Sequence, residues 1–288
     1  MPRYRLTIAY DGTAFHGWQR QFTTPERGLP TEIPVLGELD DGRVELRTVQ
    51  GVVQRAVREV VGQPVTVQGA SRTDAGVHAA AQCAAFTVEG EGGRPPDERL
   101  ARALNSSLPG DVLVVEAARV EETFDPIGEC RAKGYRYLIH AGPTRPLWDR
   151  ARVWWTYESL EIDRMSQAAV HLVGEHDFAS FAAAAHGRES TIREIFACTV
   201  QDVPGAQADD SRIIAIDVSG NGFLYNMVRI IAGTLMDVGR GRFEPGEIPA
   251  MLAARDRAAT GPTLGPAGLR LEWIDYGAFT CGTKPSES

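Results

Sequence analysis

The sequence predicts an α+β fold: two similar halves, each a mixed or antiparallel sheet flanked by helices. Several short runs alternate apolar with polar residues, the pattern of half-buried strands, while other segments repeat apolar residues at helical spacing. Strands fall beside one another as well as alternating with helices, which disfavours a doubly wound parallel sheet. At 288 residues, 43% of them hydrophobic, the chain exceeds the usual size of a single core. Two halves are therefore expected, residues 1–120 and 121–278, followed by a flexible tail at 279–288. Both share a loose order of strand, helix and paired strands, in keeping with an internal duplication.

Tyr4 to Tyr10 alternates as a strand and ends at Asp11-Gly12, a turn signal. Residues 22–47 carry three prolines, three glycines and six acidic residues without a sustained period, so they read as an exposed insertion. Thr48 is placed as an N-cap. Val49, Val52, Val53, Ala56, Val57, Val60 and Val61 then share one helical stripe that Gly62 closes. Val65 to Val67 and Cys83 to Val88 read as strands on either side of the loop GASRTDAGVHA. A helix near Asp97 to Asn105 and a strand at Val112 to Ala118 complete the first half. The second offers a strand at Gly134 to His140, a helix at Ile162 to Val173, strands at Ile192 to Val200 and Ile213 to Val218, and a helix from Phe223 to Val238.

Thirty Lys and Arg against 38 Asp and Glu give a formal charge of −8 and a pI near 5.4, which taken alone argues against a polyanionic partner. Charges beyond a Debye length of about 8 Å are largely screened, so a local basic groove can still hold phosphate. Cys83, Cys130, Cys198 and Cys281 are far apart, with no C-x-x-C pair and no His at ligand spacing, and read as four reduced thiols. His176-Asp177 lacks H-x-x-x-H or E-x-x-H spacing, so no metal is expected. No signal core opens the sequence and no run approaches the roughly 18 apolar residues of a membrane span. A soluble, cytoplasmic protein is expected.

Asp74 lies in Ser71-Arg72-Thr73-Asp74-Ala75-Gly76-Val77-His78, where an acid, a base-capable ring and a cation share a glycine-bearing loop. An Asp before a small residue and Gly also fits a plain Asx-turn. Arg229 falls nearly opposite the stripe of Leu224, Met227, Val228, Ile231 and Leu235, beside Asn226 and Gly233. It is either a solvated charge or, if its face meets the Asp74 loop, the cation that orients a catalytic carboxylate. Tyr135 and Tyr137 lie on one face of a strand and Arg136 on the other, an arrangement suited to stacking on bases beside phosphates or to ordinary strand packing. Trp18, Gln19 and Arg20 are further RNA-contact candidates, while His16 reads as a polar loop residue. Gly239-Arg240-Gly241-Arg242 reads as a helix C-cap rather than a phosphate cradle.

Tyr10-Asp11-Gly12-Thr13, Gly17-Trp18-Gln19-Arg20-Gln21, Thr48-Val49-Gln50-Gly51, Arg72 to Ala79, Tyr135-Arg136-Tyr137, His176-Asp177-Phe178 and Phe223 to Gly233 together resemble the TruA family of tRNA pseudouridine synthases, in order and over nearly the whole chain. The resemblance implies a pseudouridine-synthase fold and a symmetric homodimer holding the anticodon arm of tRNA, with uridines at tRNA positions 38–40 as targets and no metal or organic cofactor. It also implies Asp74 as catalytic aspartate, Arg229 as its ion-pair partner, Tyr135 as the aromatic on the target uracil, and Arg72 as a residue positioning the flipped nucleotide. His78, Gln19 and Arg20 are implied as RNA contacts. Two departures stand out. The family leads one to expect a much shorter connection than residues 22–47, and a small polar residue where Asp125 follows Phe124. A non-catalytic tRNA-folding chaperone using the same cleft is the competing reading. An acid hydrolase pairing Asp11 with Asp74 is a weaker one, because the turn signal accounts for Asp11.

Overall fold

Apolar alternation at the N-terminus produces β1 (Arg3–Tyr10), with Tyr4, Leu6 and Ile8 buried. The computed structural model describes residues 1–24, 33–90, 95–183, 190–204 and 211–284. The chain divides into two units, one running from Met1 to Arg131 and resuming at Leu271, the other Ala132–Arg270. The boundary thus falls at 131/132 rather than at 120/121.

In the first unit, β2 (Phe22–Thr23), β3 (Val35–Glu38) and β4 (Val44–Leu46) form a small antiparallel sheet in the order β2-β4-β3. The stretch expected as an exposed insertion is therefore partly built, and Val44 and Glu45 are buried. Backbone ladders and ion pairs hold it, and neither leaves an apolar period in the sequence. Residues 25–32 of that stretch lie outside the described residues. Helix α1 (Val49–Val61) forms as expected. The Thr48 hydroxyl accepts from Gly51 N at 3.3 Å, and Gly62 ends the helix in the left-handed region at φ 68°.

A short β5 (Gln68–Gly69) replaces the strand expected at Val65–Val67. Strand β6 (His78–Thr87) begins five residues before Cys83, because its antiparallel pairing with β1 runs on to Tyr10 opposite Ala79. Pairing here overrides the weak strand preference of alanine. Helix α2 (Asp97–Ser107) and β7 (Val112–Val120) follow, β7 pairing with the free side of β1.

The second unit starts with β8 (Ala132–Ala141), which pairs in parallel with β9 (Trp154–Thr156) and antiparallel with a later strand, making this sheet mixed. Helix α3 (Ile162–Val170) stops three residues early, where His171 N turns back to Ala168 O. Strands β10 (Gly174–Asp177), β11 (Ile192–Val203) and β12 (Arg212–Gly220) complete the order β10-β11-β12-β8-β9. Helix α4 (Met227–Gly239) starts four residues later than its periodicity suggests, because Asn226 takes a left-handed φ of 62°. Every residue of α4 except Arg229 is buried, so what reads as an amphipathic stripe is an all-round core helix. Helix α5 (Ile248–Ala254) follows.

β13 (Leu269–Asp275) brings the chain back to the first unit, where β14 (Thr280–Cys281) pairs with it, Ile274 opposite Cys281. The first three residues of the segment expected as a flexible tail, 279–281, are packed, and 282–284 are exposed. Phe279 stacks on Tyr276 at 4.8 Å, the Arg5 guanidinium lies 4.4 Å from the Phe279 ring, and Cys281 is fully buried. Residues 285–288 lie outside the described residues. All four cysteines are free thiols, and among the described residues no helix is long and apolar enough to cross a membrane.

Candidate active site

The Asp74 loop leaves β5 and enters β6, and neighbouring chain fixes it at Ser71, Thr73, Gly76 and Val77. Gln82, wholly buried in β6, clamps Ser71 from both sides: its Oε1 accepts from Ser71 N at 3.1 Å and its Nε2 donates to Ser71 O at 2.6 Å. Thr73 O accepts from Trp18 N at 3.0 Å, and Thr73 Oγ1 lies 2.7 Å from the Tyr10 hydroxyl. Gly76 N donates to Phe15 O at 3.3 Å and Val77 N to Asp74 O at 3.1 Å. That last bond closes a tight turn whose third residue, Gly76, sits at φ +78°, as a type II turn requires. Asp74, the first residue of that turn, is half-buried. Gly17 supports it from behind at φ +86°, where a Cβ would lie 2.6 Å from Thr73 O and 3.1 Å from the Asp74 carbonyl carbon.

In the second unit, Arg229 stands in the first turn of α4. Its Nε donates to Leu264 O at 2.7 Å and its Nη1 to Asn226 Oδ1 at 2.8 Å, so the guanidinium is held in a fixed orientation. Tyr135, on β8 opposite Val218, meets the Phe223 ring edge-to-face at 5.1 Å. Tyr137, two residues on, is fully buried and donates to Gly265 O at 2.7 Å; burial pushes its phenol well above the usual tyrosine range. Arg136 on the opposite face forms a bidentate pair with Asp217 at 2.7 and 2.8 Å.

The expected RNA contacts divide sharply. Arg72 and Gln19 are exposed. His78, expected at the RNA surface, is 5% exposed; its Nδ1 accepts Gly12 N–H at 3.1 Å and lies 3.3 Å from Asp11 Oδ1. Arg20 donates from Nε to the buried carboxylate of Glu45, which Arg55 also pairs at 2.6 Å. Burial would raise the Glu45 pKa, but hydrogen bonds from the two arginines outweigh it and hold the carboxyl below the usual glutamate range. Trp18 is 1% exposed and packs on Gly69, so its indole is core. Asp125 accepts from Ile127 N at 2.9 Å, an Asx-turn, and Asp11 accepts from Thr13 N at 3.1 Å. Burial lowers the His16 pKa.

The roles of Tyr10 and Gln82 have no counterpart in the sequence reading. Gln82 had a signal: a single amide inside Ala79-Ala80-Ala81-Gln82-Cys83-Ala84-Ala85 must find buried partners. Among the described residues, no group of three or more His, Cys, Asp or Glu side chains is placed to hold a metal.

The chain belongs to the tRNA pseudouridine synthase family, whose model matches residues 40–126 and 168–277 and so takes in the loop that presents Asp74. It is 38% identical over 276 residues to tRNA pseudouridine synthase A of Ruminiclostridium cellulolyticum, covering 96% of this chain and all of that protein. The proteins of the same name from Geotalea uraniireducens and Caldicellulosiruptor saccharolyticus are each 37% identical over the same length and coverage.

Proposed function

We propose that this chain isomerises uridine to pseudouridine in the anticodon stem-loop of tRNA, at positions 38–40, with Asp74 as its catalytic carboxylate. The observation that carries the reading is the braced loop in a family member: Ser71, Thr73, Gly76 and Val77 are each tied to neighbouring chain, and Asp74 lies half-exposed among them. The reaction breaks the N1–C1′ glycosidic bond, turns the retained uracil and joins C5 to C1′. The C5 proton leaves and N1 gains one, so no group is added or lost. Asp74 promotes the cleavage and Arg229, whose guanidinium fork is already oriented, pairs with it. Tyr135 packs on the uracil and handles the C5 proton, which leaves to solvent. The base leaves its stack at a cost of a few kcal/mol, offset by phosphate contacts and stacking. Arg72 and Gln19 touch the nucleotide; His78 and Arg20 act from beneath, by supporting the loops that carry them. The enzyme works in the cytoplasm as a symmetric homodimer.

The test is tritium release from tRNA transcripts carrying 5-tritiated uridine, with wild type and Asp74→Ala compared. Wild type is expected to release tritium and Asp74→Ala to lose at least about 10³-fold in rate with tRNA binding retained. A wild type that binds tRNA and releases nothing from any transcript would leave a binding protein rather than an isomerase.

A further inference from the structure

We infer that the described part of the 22–47 segment, residues 22–24 and 33–47, is a brace for the Asp74 loop, with Glu45 as the positioning residue at its root. The inference deepens the proposed function, since the site it positions is the one assigned there. Glu45 is 1% exposed and accepts from two arginines on different elements, Arg20 on the 15–21 loop and Arg55 on α1. Arg55 also donates to Leu36 O at 3.0 Å, so one side chain ties α1 to both β3 and β4. The first turn of α1 is shaped to receive this segment. A Cβ at Gly51 would lie 2.8 Å from Leu36 Cδ1 and 3.2 Å from Glu45 Oε1.

From Glu45 the contacts run to the catalytic loop through a single layer of chain. Phe22 pairs with Glu45, and Leu46 N donates to Gln21 O at 3.0 Å. His16 N donates to Arg47 O at 2.9 Å. Arg47 in turn donates to Ala14 O at 2.9 Å, holds Asp111 with two bonds of 2.9 Å and lies 4.0 Å from the Phe15 ring centroid. Residues 14–21 are thus bonded along one edge by 45–50, since Val49 N and Gln50 N also reach Gly17 O and Trp18 O. Their other edge carries the Trp18 N to Thr73 O and Gly76 N to Phe15 O bonds on either side of Asp74. The 14–21 layer cannot move without moving Thr73 or Gly76. The segment that departs most from the family's expected length therefore fixes the back of the layer on which the catalytic turn rests.

Arg20 then serves an internal carboxylate rather than a phosphate. Glu45→Gln keeps the size of the side chain and removes its charge, leaving Arg20 and Arg55 without their shared counter-ion. The experiment is amide hydrogen exchange on the full-length protein, wild type against Glu45→Gln, with tritium release and tRNA affinity measured on the same samples. Exchange at Trp18, Gly76 and Val77 is expected to rise about tenfold while Val114 in β7 is unchanged. Turnover is expected to fall about tenfold with tRNA Kd within about twofold. Arg20→Gln should reproduce both changes, and the double variant should add little to either. Unchanged exchange at residues 73–77 in Glu45→Gln would overturn the brace, as would an Arg20→Gln whose main effect is weaker tRNA binding. If wild type itself released no tritium, the proposed function would fall, and the exchange data would still decide whether Glu45 braces the loop.

Discussion

At the scale of single residues, the site depends on backbone contacts that only particular side chains allow. Gly17 is the clearest case, because it combines a left-handed φ of +86° with a missing Cβ facing Thr73 O. A left-handed backbone costs an ordinary residue about 1–2 kcal/mol, and the contact adds to that by pushing on the residue before Asp74. Gly17→Ala is expected to lower stability by about 2 kcal/mol or more, read as a fall in the urea midpoint, and to slow tritium release at temperatures where the protein stays folded. A variant that loses stability but turns over normally would show that the Asp74 loop tolerates displacement. The loop around Asp74 was legible as a loop because its neighbours form a specific glycine-bearing string. Tyr10 and Gln82 were not, since a strand tyrosine and a lone amide reveal their partners only once β1 and β6 are paired.

At the scale of elements, the sequence spoke clearly where one force dominated. Helix α1 was readable to the residue because cap, stripe and terminal glycine agree. Helix α4 was misread at its start because its apolar residues continue backwards through a stretch that Asn226 breaks, a backbone choice that hydropathy does not encode. The β2-β4-β3 sheet was hidden for a different reason: a buried ion pair holds it. The consequence can be tested by pH. Glu45 has its pKa depressed in the folded protein, so the unfolded chain, with an ordinary value near about 4.3, binds the proton more readily. The stability Glu45 contributes is complete above that value and is lost as pH falls through the lower folded-state pKa. At pH 7, Glu45→Gln is expected to cost about 2 kcal/mol, below the usual 3–5 for a broken buried pair because Arg55 is half in water. The gap between wild type and variant in urea midpoint should narrow below about pH 4; a gap that stays constant down to pH 3 would contradict the ion-pair account.

For the molecule as a whole, the negative total charge and the polyanionic substrate proposed for it have to be reconciled. Composition alone could not do this, just as it could not place the unit boundary at 131/132, where no shift of composition marks the change. What decides is which arginines are already committed. Arg5, Arg47 and Arg136 are each tied to an internal carboxylate by two bonds, and Arg20 gives its guanidinium to Glu45. They add to the formal count of cations and offer little to RNA. Arg72 is exposed beside the Asp74 turn. Each phosphate contact contributes about 0.7 to 0.9 to the slope of log affinity against log salt, so the slope counts working arginines where net charge cannot. Arg72→Ala is expected to reduce that slope for tRNA by about one contact's worth, and Arg20→Ala to leave it unchanged while lowering turnover. The reverse result would mean that Arg20 exchanges its carboxylate for a phosphate when tRNA arrives, and that the acidic brace gives way in the bound state.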